Sequence, residues 1–196
     1  MFVLNEKEIK MKQKYNVPNV VFENCNIDFS NFAGEGSKYN KAGERDFTLS
    51  INDEASATEL RDQGWSMQAV TNNPQEMARL EASGWRNVKL NEYVDETKFR
   101  LKVKISFNPP SPRIAPSKIT TYSGRVVTEI SEEAAGMLDG MIGRFQQVDV
   151  EVRPRWWLDD ATNEWNIKAY LHDMRIVLQT SKLDEKYADY ADYQDE

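Results

Sequence analysis

The segment Lys98–Phe107, with the sequence KFRLKVKISF, has the clearest alternation of apolar and charged residues in the chain. In an extended strand, successive side chains point to opposite faces, so such a pattern predicts a strand with one apolar and one polar face. The apolar face comprises Phe99, Leu101, Val103, Ile105 and Phe107, and the polar face comprises Lys98, Arg100, Lys102 and Lys104. The segment therefore predicts a half-buried strand whose outer side is wholly basic.

Other segments predict further strands and a few short helices. Residues 19–32 are interpreted as one long strand, joined by a Gly- and Asn-rich connector to a strand at 45–51. Residues 145–157 and 164–178 form a second long hairpin. Asn52 or Asp53 is the predicted cap of a helix that Gly64 ends, and Ser131 opens another helix that Gly140 or Gly143 ends. This tally predicts a mainly β fold, an OB-like antiparallel barrel with inserted helices.

The domain organisation follows from composition. We predict a flexible arm at 1–18, one binding domain at 19–180, and a disordered acidic tail at 181–196. Within the domain, the pattern Leu-x-x-x-Gly-Trp occurs twice, ending at Trp65 and Trp85. We interpret it as two similar helix-to-strand junctions rather than a functional repeat, and residues 57–90 as a possible insertion.

Charge is distributed very unevenly along the chain. The net charge is -7, yet residues 184–196 hold six acids and one base and so account for -5 of it. Residues 98–125 contain seven cations and no acid. An ordinary solvated strand face mixes signs, so this stretch favours binding of a polyanion over simple solvation.

Several other classes of protein fit poorly. Cys25 and His172 are each the single residue of their type, which excludes a disulfide framework, a thiolate zinc site and a multi-histidine metal centre. The first residues turn charged at Glu6, which predicts no signal peptide, and no apolar run approaches the ~20 residues of a membrane-spanning helix. The glycines of residues 31–51 match neither a Walker loop nor a dinucleotide fingerprint. We therefore expect no enzyme and no cofactor. A nuclease with a metal held by Asp28, Glu44 and Asp46 remains a third alternative.

Aromatic residues near the cations indicate which polyanion is bound. Single-stranded nucleic acid is held by a cationic groove together with rings that stack on bases. The aromatic candidates are Tyr39, Tyr122, Trp156, Trp157 and Tyr170, and one of the two adjacent tryptophans is expected to be core and the other exposed. No helix carries a basic, base-reading face, which disfavours duplex DNA.

The motif Asn31-Phe32-x-Gly34, followed by Tyr39-Asn40-x-x-Gly43-x-Arg45-x-Phe47, resembles phage-encoded single-stranded-DNA-binding proteins with an OB-type barrel. The resemblance covers about residues 20–178. It implies non-specific binding of single-stranded DNA in replication or recombination, in the cytoplasm of an infected bacterium. It also implies an acidic tail, as in other members of that functional class. Such a flexible acidic segment can compete for the cationic groove and dock replication or recombination proteins, and the alternative is a tail that serves only solubility. This tail ends in Tyr-Gln-Asp-Glu, without a terminal aromatic residue, which puts docking through the last residue in doubt.

The sequence thus predicts a DNA-binding surface made of cations and aromatic rings. The second alternative, ahead of the nuclease, is a phage structural or assembly protein that binds no nucleic acid. The predicted DNA-binding residues are Lys38, Tyr39, Lys41, Arg45, Lys98, Arg100, Lys102, Lys104, Arg113, Lys118, Tyr122, Arg125, Arg153, Arg155, Trp156, Trp157, Lys168 and Tyr170.

Overall fold

A computed structural model describes residues 17–38, 40–159 and 163–180. The predicted tail and nearly all of the predicted arm lie outside the described residues. The helices are α1 (Glu54–Asp62) and α2 (Pro74–Ala82), with 3-10 helices η1 (Ala135–Gly140) and η2 (Ile142–Arg144). The strands are β1 (Val20–Phe22), β2 (Asn26–Asn31), β3 (Arg45–Ile51), β4 (Met67–Thr71), β5 (Val88–Leu90), β6 (Lys98–Ile105), β7 (Lys118–Ser123), β8 (Val126–Glu129), β9 (Phe145–Asp159) and β10 (Glu164–Leu178).

The ten strands form one sheet, and its main path has the order β1-β9-β10-β6-β3-β2. Off this path, β4 pairs with β5 and β6, and β7 pairs with β10 and β8. The two ends of this path, β1 and β2, are consecutive in the chain and are separated only by residues 23–25. The predicted single strand at 19–32 is therefore wrong at this point. The backbone turns at Asn24, which has a φ of 46° and whose N–H donates to Asp149. The sheet curves until its ends meet through this bend, but β1 and β2 do not pair, so the ladder is not a closed barrel.

The predicted mainly β fold with short helices is confirmed, although the sheet is not purely antiparallel. β10 runs parallel to β6 and to β7, and β4 runs parallel to β5. If β1 and β2 count as one bent strand, the main path contains five strands, which follow in the chain as β1/β2, β3, β6, β9 and β10. Their order across the sheet is then 1-2-3-5-4. This is the order of the partly open barrel of an OB-type domain.

The two Leu-x-x-x-Gly-Trp motifs form equivalent helix ends. After α1, the backbone N–H of Trp65 donates to the carbonyl of Leu60 at 3.0 Å, and after α2 the backbone N–H of Trp85 donates to the carbonyl of Leu80 at the same distance. Gly64 and Gly84 have φ of 100° and 94°, the left-handed turn that favours glycine after a helix. Trp65 and Trp85 are then both buried, so the interpretation as two similar junctions is confirmed.

The core lies inside the curved sheet and fixes the position of the connector between β2 and β3. Phe32 and Phe47 stack at a centroid distance of 5.7 Å, and both are fully buried. Asp139 in η1 accepts hydrogen bonds from Ser30 Oγ and from the backbone N–H groups of Phe32 and Ala33. These contacts anchor the connector where it leaves the sheet. Within the described residues, no helix has the length and apolar character needed to cross a bilayer.

Candidate nucleic-acid interface

Strand register brings three separate basic segments onto one side of the sheet. Tyr170 of β10 lies between Lys104 of β6 and Arg153 of β9. On the same side, Lys168 pairs with Arg155, and Asn166 pairs with Trp157. The opposite side of these strands is the core, where Ile167, Ala169 and Leu171 are fully buried. We call the polar side the outer face, defined by Arg100, Lys102, Lys104, Arg153, Arg155, Trp157, Asn166, Lys168 and Tyr170.

The cations of β6 are paired with acids from the neighbouring strand and connector. Arg100 lies 3.4 Å from Asp28, Lys102 lies 2.9 Å from Asp46, and Lys104 lies 3.7 Å from Glu44. The expectation of a face with a single sign of charge is therefore wrong on β6. The acids come from β2, β3 and the connector before β3, which the 98–125 stretch does not include.

The cations of β9 and β10 have a different environment. In the described part of the chain, no carboxylate forms an ion pair with Arg153, Arg155 or Lys168. Burial lowers the pKa of Lys168, and the positive charges of Lys104 and Arg155 lower it further, while the negative charges of Asp159 and Glu44 partly offset this effect. Burial and Arg155 also lower the pKa of Arg153. Crowded cations of this kind are stabilised by an anion, so this half of the outer face is the stronger candidate for phosphate binding.

The adjacent tryptophans lie on opposite sides of β9. Trp156 pairs with Ile167 and packs against the core. Trp157 pairs with Asn166 on the outer face, where the Lys168 Nζ lies 3.8 Å from the centre of its ring. Tyr170 has the guanidinium carbon of Arg155 5.4 Å from its ring centre. Both rings on the outer face are thus covered by cations that also suit phosphate.

Phe29 is an aromatic residue of this region that the sequence reasoning missed. It is the unpaired residue of a bulge in β2, with a φ of 37°, and it is 70% exposed. The guanidinium carbon of Arg100 lies 4.9 Å from its ring centre. A bulky residue with positive φ is a strained outlier, and bulges often redirect a side chain toward a functional surface. Sequence reasoning could not find this position, because a bulge leaves no mark in the sequence.

The connector between β2 and β3 borders the outer face. Lys102 Nζ donates to Asn40 Oδ1 at 3.2 Å, and Lys41 is exposed nearby in the chain. Arg45 is directed elsewhere: it forms a 2.6 Å ion pair with Glu132, and its Nε donates to the Phe32 carbonyl. Arg45 therefore fixes the connector. Lys38 is exposed in the connector, and Tyr39 lies outside the described residues.

Four of the remaining predicted residues lie elsewhere in the fold, and Lys98 lies on the polar side of β6 at the start of that strand. Lys118 and Tyr122 of β7 pair with Asp173 and Val177, beyond the irregularity that follows Leu171 in β10. Arg125 lies between β7 and β8, Arg113 lies in the proline-rich segment, and Lys98 begins β6 opposite Val70. The structure does not bring these five residues together with Trp157, Lys168 and Tyr170.

The groups considered for catalysis do not form a site. Asp28, Asp46 and Glu44 each pair with a different cation of β6, and the described residues contain no group of three acids, histidines or cysteines placed to hold a metal. Burial raises the pKa of the Cys25 thiol to about 12, and its Sγ donates to the Val148 carbonyl. A thiol with so high a pKa is a poor nucleophile at neutral pH.

The chain is similar to the crystal structure of gp2.5, a single-stranded-DNA-binding protein encoded by bacteriophage T7, with 14% identity and a TM-score of 0.38, over 84% of this chain and 96% of that one. No curated protein matches. A family model described as "Putative phage ssDNA-binding domain" matches residues 10–83 and 70–196, which is more than half of the chain. The chain belongs to this family of phage single-stranded-DNA-binding domains.

Proposed function

We propose that this protein coats single-stranded DNA, without sequence preference and without catalysis, during phage replication or recombination. The outer face is the contact surface. The observation that carries the proposal is the cluster of Arg153, Arg155 and Lys168, which lack carboxylate partners among the described residues and lie beside Trp157 and Tyr170. Cations without acid partners next to aromatic rings are the combination that holds a single strand.

The proposed mechanism separates phosphate contacts from base contacts. Arg153, Arg155 and Lys168 neutralise phosphates. The Nη2 of Arg153 is buried and has no hydrogen-bond partner among the described residues. Same-face residues of a strand repeat at roughly 6.5–7 Å, close to the phosphate repeat of an extended single strand. The single-stranded DNA therefore runs along β9 and β10, and Lys38 and Lys41 of the connector lie at its side.

Base stacking is assigned to Trp157, Tyr170 and Phe29. In the free protein, Lys168 covers Trp157 and Arg155 covers Tyr170. Each cation moves to a phosphate when a base takes its place over the ring, so one cation–ring contact is replaced by a cation–phosphate contact and a base–ring contact. Every base has a π face, which makes this mode of binding tolerant of sequence.

The cations of β6 contribute less to the proposed binding. A phosphate must displace Asp28, Asp46 or Glu44 before it reaches Arg100, Lys102 or Lys104. The exchange of one anion for another yields little net free energy near a protein surface. Strand β6 then sets the register of the DNA rather than most of its affinity.

Fluorescence anisotropy with labelled dT30 and a matching duplex tests the proposal. We expect tight, salt-sensitive binding of dT30 and much weaker binding of the duplex. Arg155→Glu should lower the affinity for dT30 about tenfold and make the salt slope shallower by about 1. Arg144→Glu makes the same change of charge at an exposed position in η2, away from the outer face, and is the matched control.

Two results would contradict the proposal. If the wild-type protein does not bind dT30, it does not coat single strands, and a structural or assembly role becomes the better account. If Arg155→Glu and Arg144→Glu lose affinity equally, the binding surface is not the outer face.

A further inference from the structure

A cavity opens where the two Gly-Trp turns meet the tip of the β9–β10 hairpin. Its volume is about 770 Å³, within the usual range for sites that enclose a small molecule. We call it the tryptophan groove, defined by Trp65, Trp85, Trp157 and Trp165 in its lining. Four of the five tryptophans of the chain thus surround one space.

Three of these tryptophans carry donors that lack acceptors. The indole N–H groups of Trp65, Trp85 and Trp157 are buried, and each lacks a hydrogen-bond partner among the described residues. Trp65 and Trp85 are each only 2% exposed. A buried indole normally finds an acceptor, because a buried donor left unpaired costs about 1–3 kcal/mol. The residues that line the groove thus include three indole donors, which suit a ligand that brings acceptor atoms.

Both arginines in the lining are paired with acids that also line the groove. Arg61 lies 2.7 Å from Asp62, and Arg86 forms an ion pair with Glu164. The guanidinium of Arg61 also lies 5.1 Å from the centre of the Trp85 ring. With these charges offset, the groove offers flat aromatic walls and N–H donors rather than free cations. That chemistry suits a neutral, planar ring with carbonyl or ring-nitrogen acceptors and does not suit a phosphate.

The groove is continuous with the outer face. Trp157 and Asn166 are a cross-strand pair on that face, and both also line the groove. Lys168, a proposed phosphate ligand, lies 3.8 Å from the ring centre of the same Trp157. A strand bound on the outer face therefore passes the mouth of the groove at the position where a base would stack on Trp157.

We propose that the tryptophan groove receives one nucleobase of the bound single strand. The base leaves the outer face at Trp157, and its carbonyl or ring-nitrogen atoms accept hydrogen bonds from the buried indoles. This inference rests on the proposed function and adds to it a defined base site, built by the two Leu-x-x-x-Gly-Trp motifs. The motifs are then helix ends that also form the wall of a ligand site.

The indole N–H signals of the five tryptophans in a ¹⁵N-labelled protein report on the site directly. Each is assigned through its own backbone signals, and dT12 is then added to the full chain. We expect the Trp65 and Trp85 indole signals to move downfield, and their exchange with solvent to slow at least about tenfold, together with a shift of Trp157. This measurement needs no variant, so it cannot be confused with a failure to fold.

A variant tests the contribution to affinity. Trp165 is 36% exposed at the groove wall, so Trp165→Ala removes a wall with little risk to the core. We expect about a tenfold loss of affinity for dT12 and disappearance of the Trp65 and Trp85 shifts, while the Trp157 shift persists. Tyr93→Ala, which removes an aromatic side chain that is 86% exposed and lies outside the groove lining, should leave both readouts unchanged.

The outcomes separate this inference from the function on which it rests. If dT12 binds and shifts Trp157 while Trp65 and Trp85 do not move, the groove is not a base site, and the proposed function stands. If dT12 does not bind and no indole signal moves, the proposed function fails and the base site fails with it.

Discussion

Phe29 combines exposure, backbone strain and contact with a cation in one side chain. We predict that Phe29→Ala lowers the affinity for dT30 by roughly 5- to 160-fold, since a stacked base contributes about 1–3 kcal/mol. The thermal midpoint should change little, because substitutions of exposed side chains usually shift stability by less than about 0.5 kcal/mol. Anisotropy titration and thermal denaturation of the same preparation measure both quantities.

The control for this variant is Tyr93→Ala, which removes another highly exposed aromatic side chain. An equal loss of affinity in the two variants would mean that exposed aromatic area in general matters and that the position of Phe29 does not. A large drop in thermal midpoint for Phe29→Ala would assign the residue a packing role instead.

The cations of β6 are paired with carboxylates, so we predict that removing one of these carboxylates raises the affinity for DNA. Asp46 is buried and lies 2.9 Å from the Lys102 Nζ. Asp46→Asn keeps the shape of the side chain, frees Lys102 and removes a negative charge from the outer face. We expect the affinity for dT30 at low salt to rise about fourfold, the effect of one charge at about 5 Å in water.

Asp173→Asn is the matched control for that change. Asp173 pairs with Arg175 at 3.1 Å, on the part of β10 that lies beyond its irregularity. Because the Coulomb energy between two charges falls with their distance, this variant should gain less affinity. Weaker binding by Asp46→Asn would show that the carboxylate positions Lys102 for DNA instead of competing with DNA.

In β6, the local sequence pattern predicts which side of the strand is buried but not which acids lie beside its cations. Alternation placed Phe99, Leu101, Val103 and Ile105 on the buried side, and all four are buried. The same pattern gave no indication of Asp28 and Asp46, which reach β6 only through pairing across the sheet. The bulge at Phe29 was equally inaccessible, since it is a property of how β2 pairs with β3.

The tryptophan groove illustrates the same limit over a longer distance. The sequence predicted both Gly-Trp turns and the β9–β10 hairpin. It gave no sign that Trp65, Trp85 and Trp165 surround one space, because that depends on parallel pairing between distant strands and on how the helices pack. A local argument predicted only that Trp156 and Trp157 lie on opposite sides of the strand, and it did not tell which of the two is exposed.

Across the entire chain, charge is divided between a basic outer face and an acidic C-terminal segment. We propose that this segment competes with DNA for the outer face and docks replication or recombination proteins when DNA displaces it. A chain ending at Ser181 should therefore bind dT30 more tightly than the full chain, with the larger gain at low salt. The log–log salt slope should lie between about -3 and -5, as expected for four to seven phosphates on a single strand.

Anisotropy of both chains at two salt concentrations measures this effect. As a control, the full chain with Asp184, Glu185, Asp189, Asp192, Asp195 and Glu196 changed to the corresponding amides keeps the length and removes the charge. It should behave like the shortened chain if charge is responsible. Equal affinity in all three proteins would rule out competition by the tail.

The bulge in β2 also has a consequence for how the gene tolerates change. Asp28 pairs with Thr48 and Ser30 pairs with Phe47, so the partners of the residues flanking Phe29 are adjacent in β3. Loss of one codon from a strand ordinarily reverses the facing of every later residue. Loss of codon 29 would instead leave Asp28 and Ser30 in their present pairs and make the ladder regular. We expect that deletion to yield a folded protein at least as stable to heat as the original, a version of the domain from which one amino acid has been subtracted without disturbing its architecture.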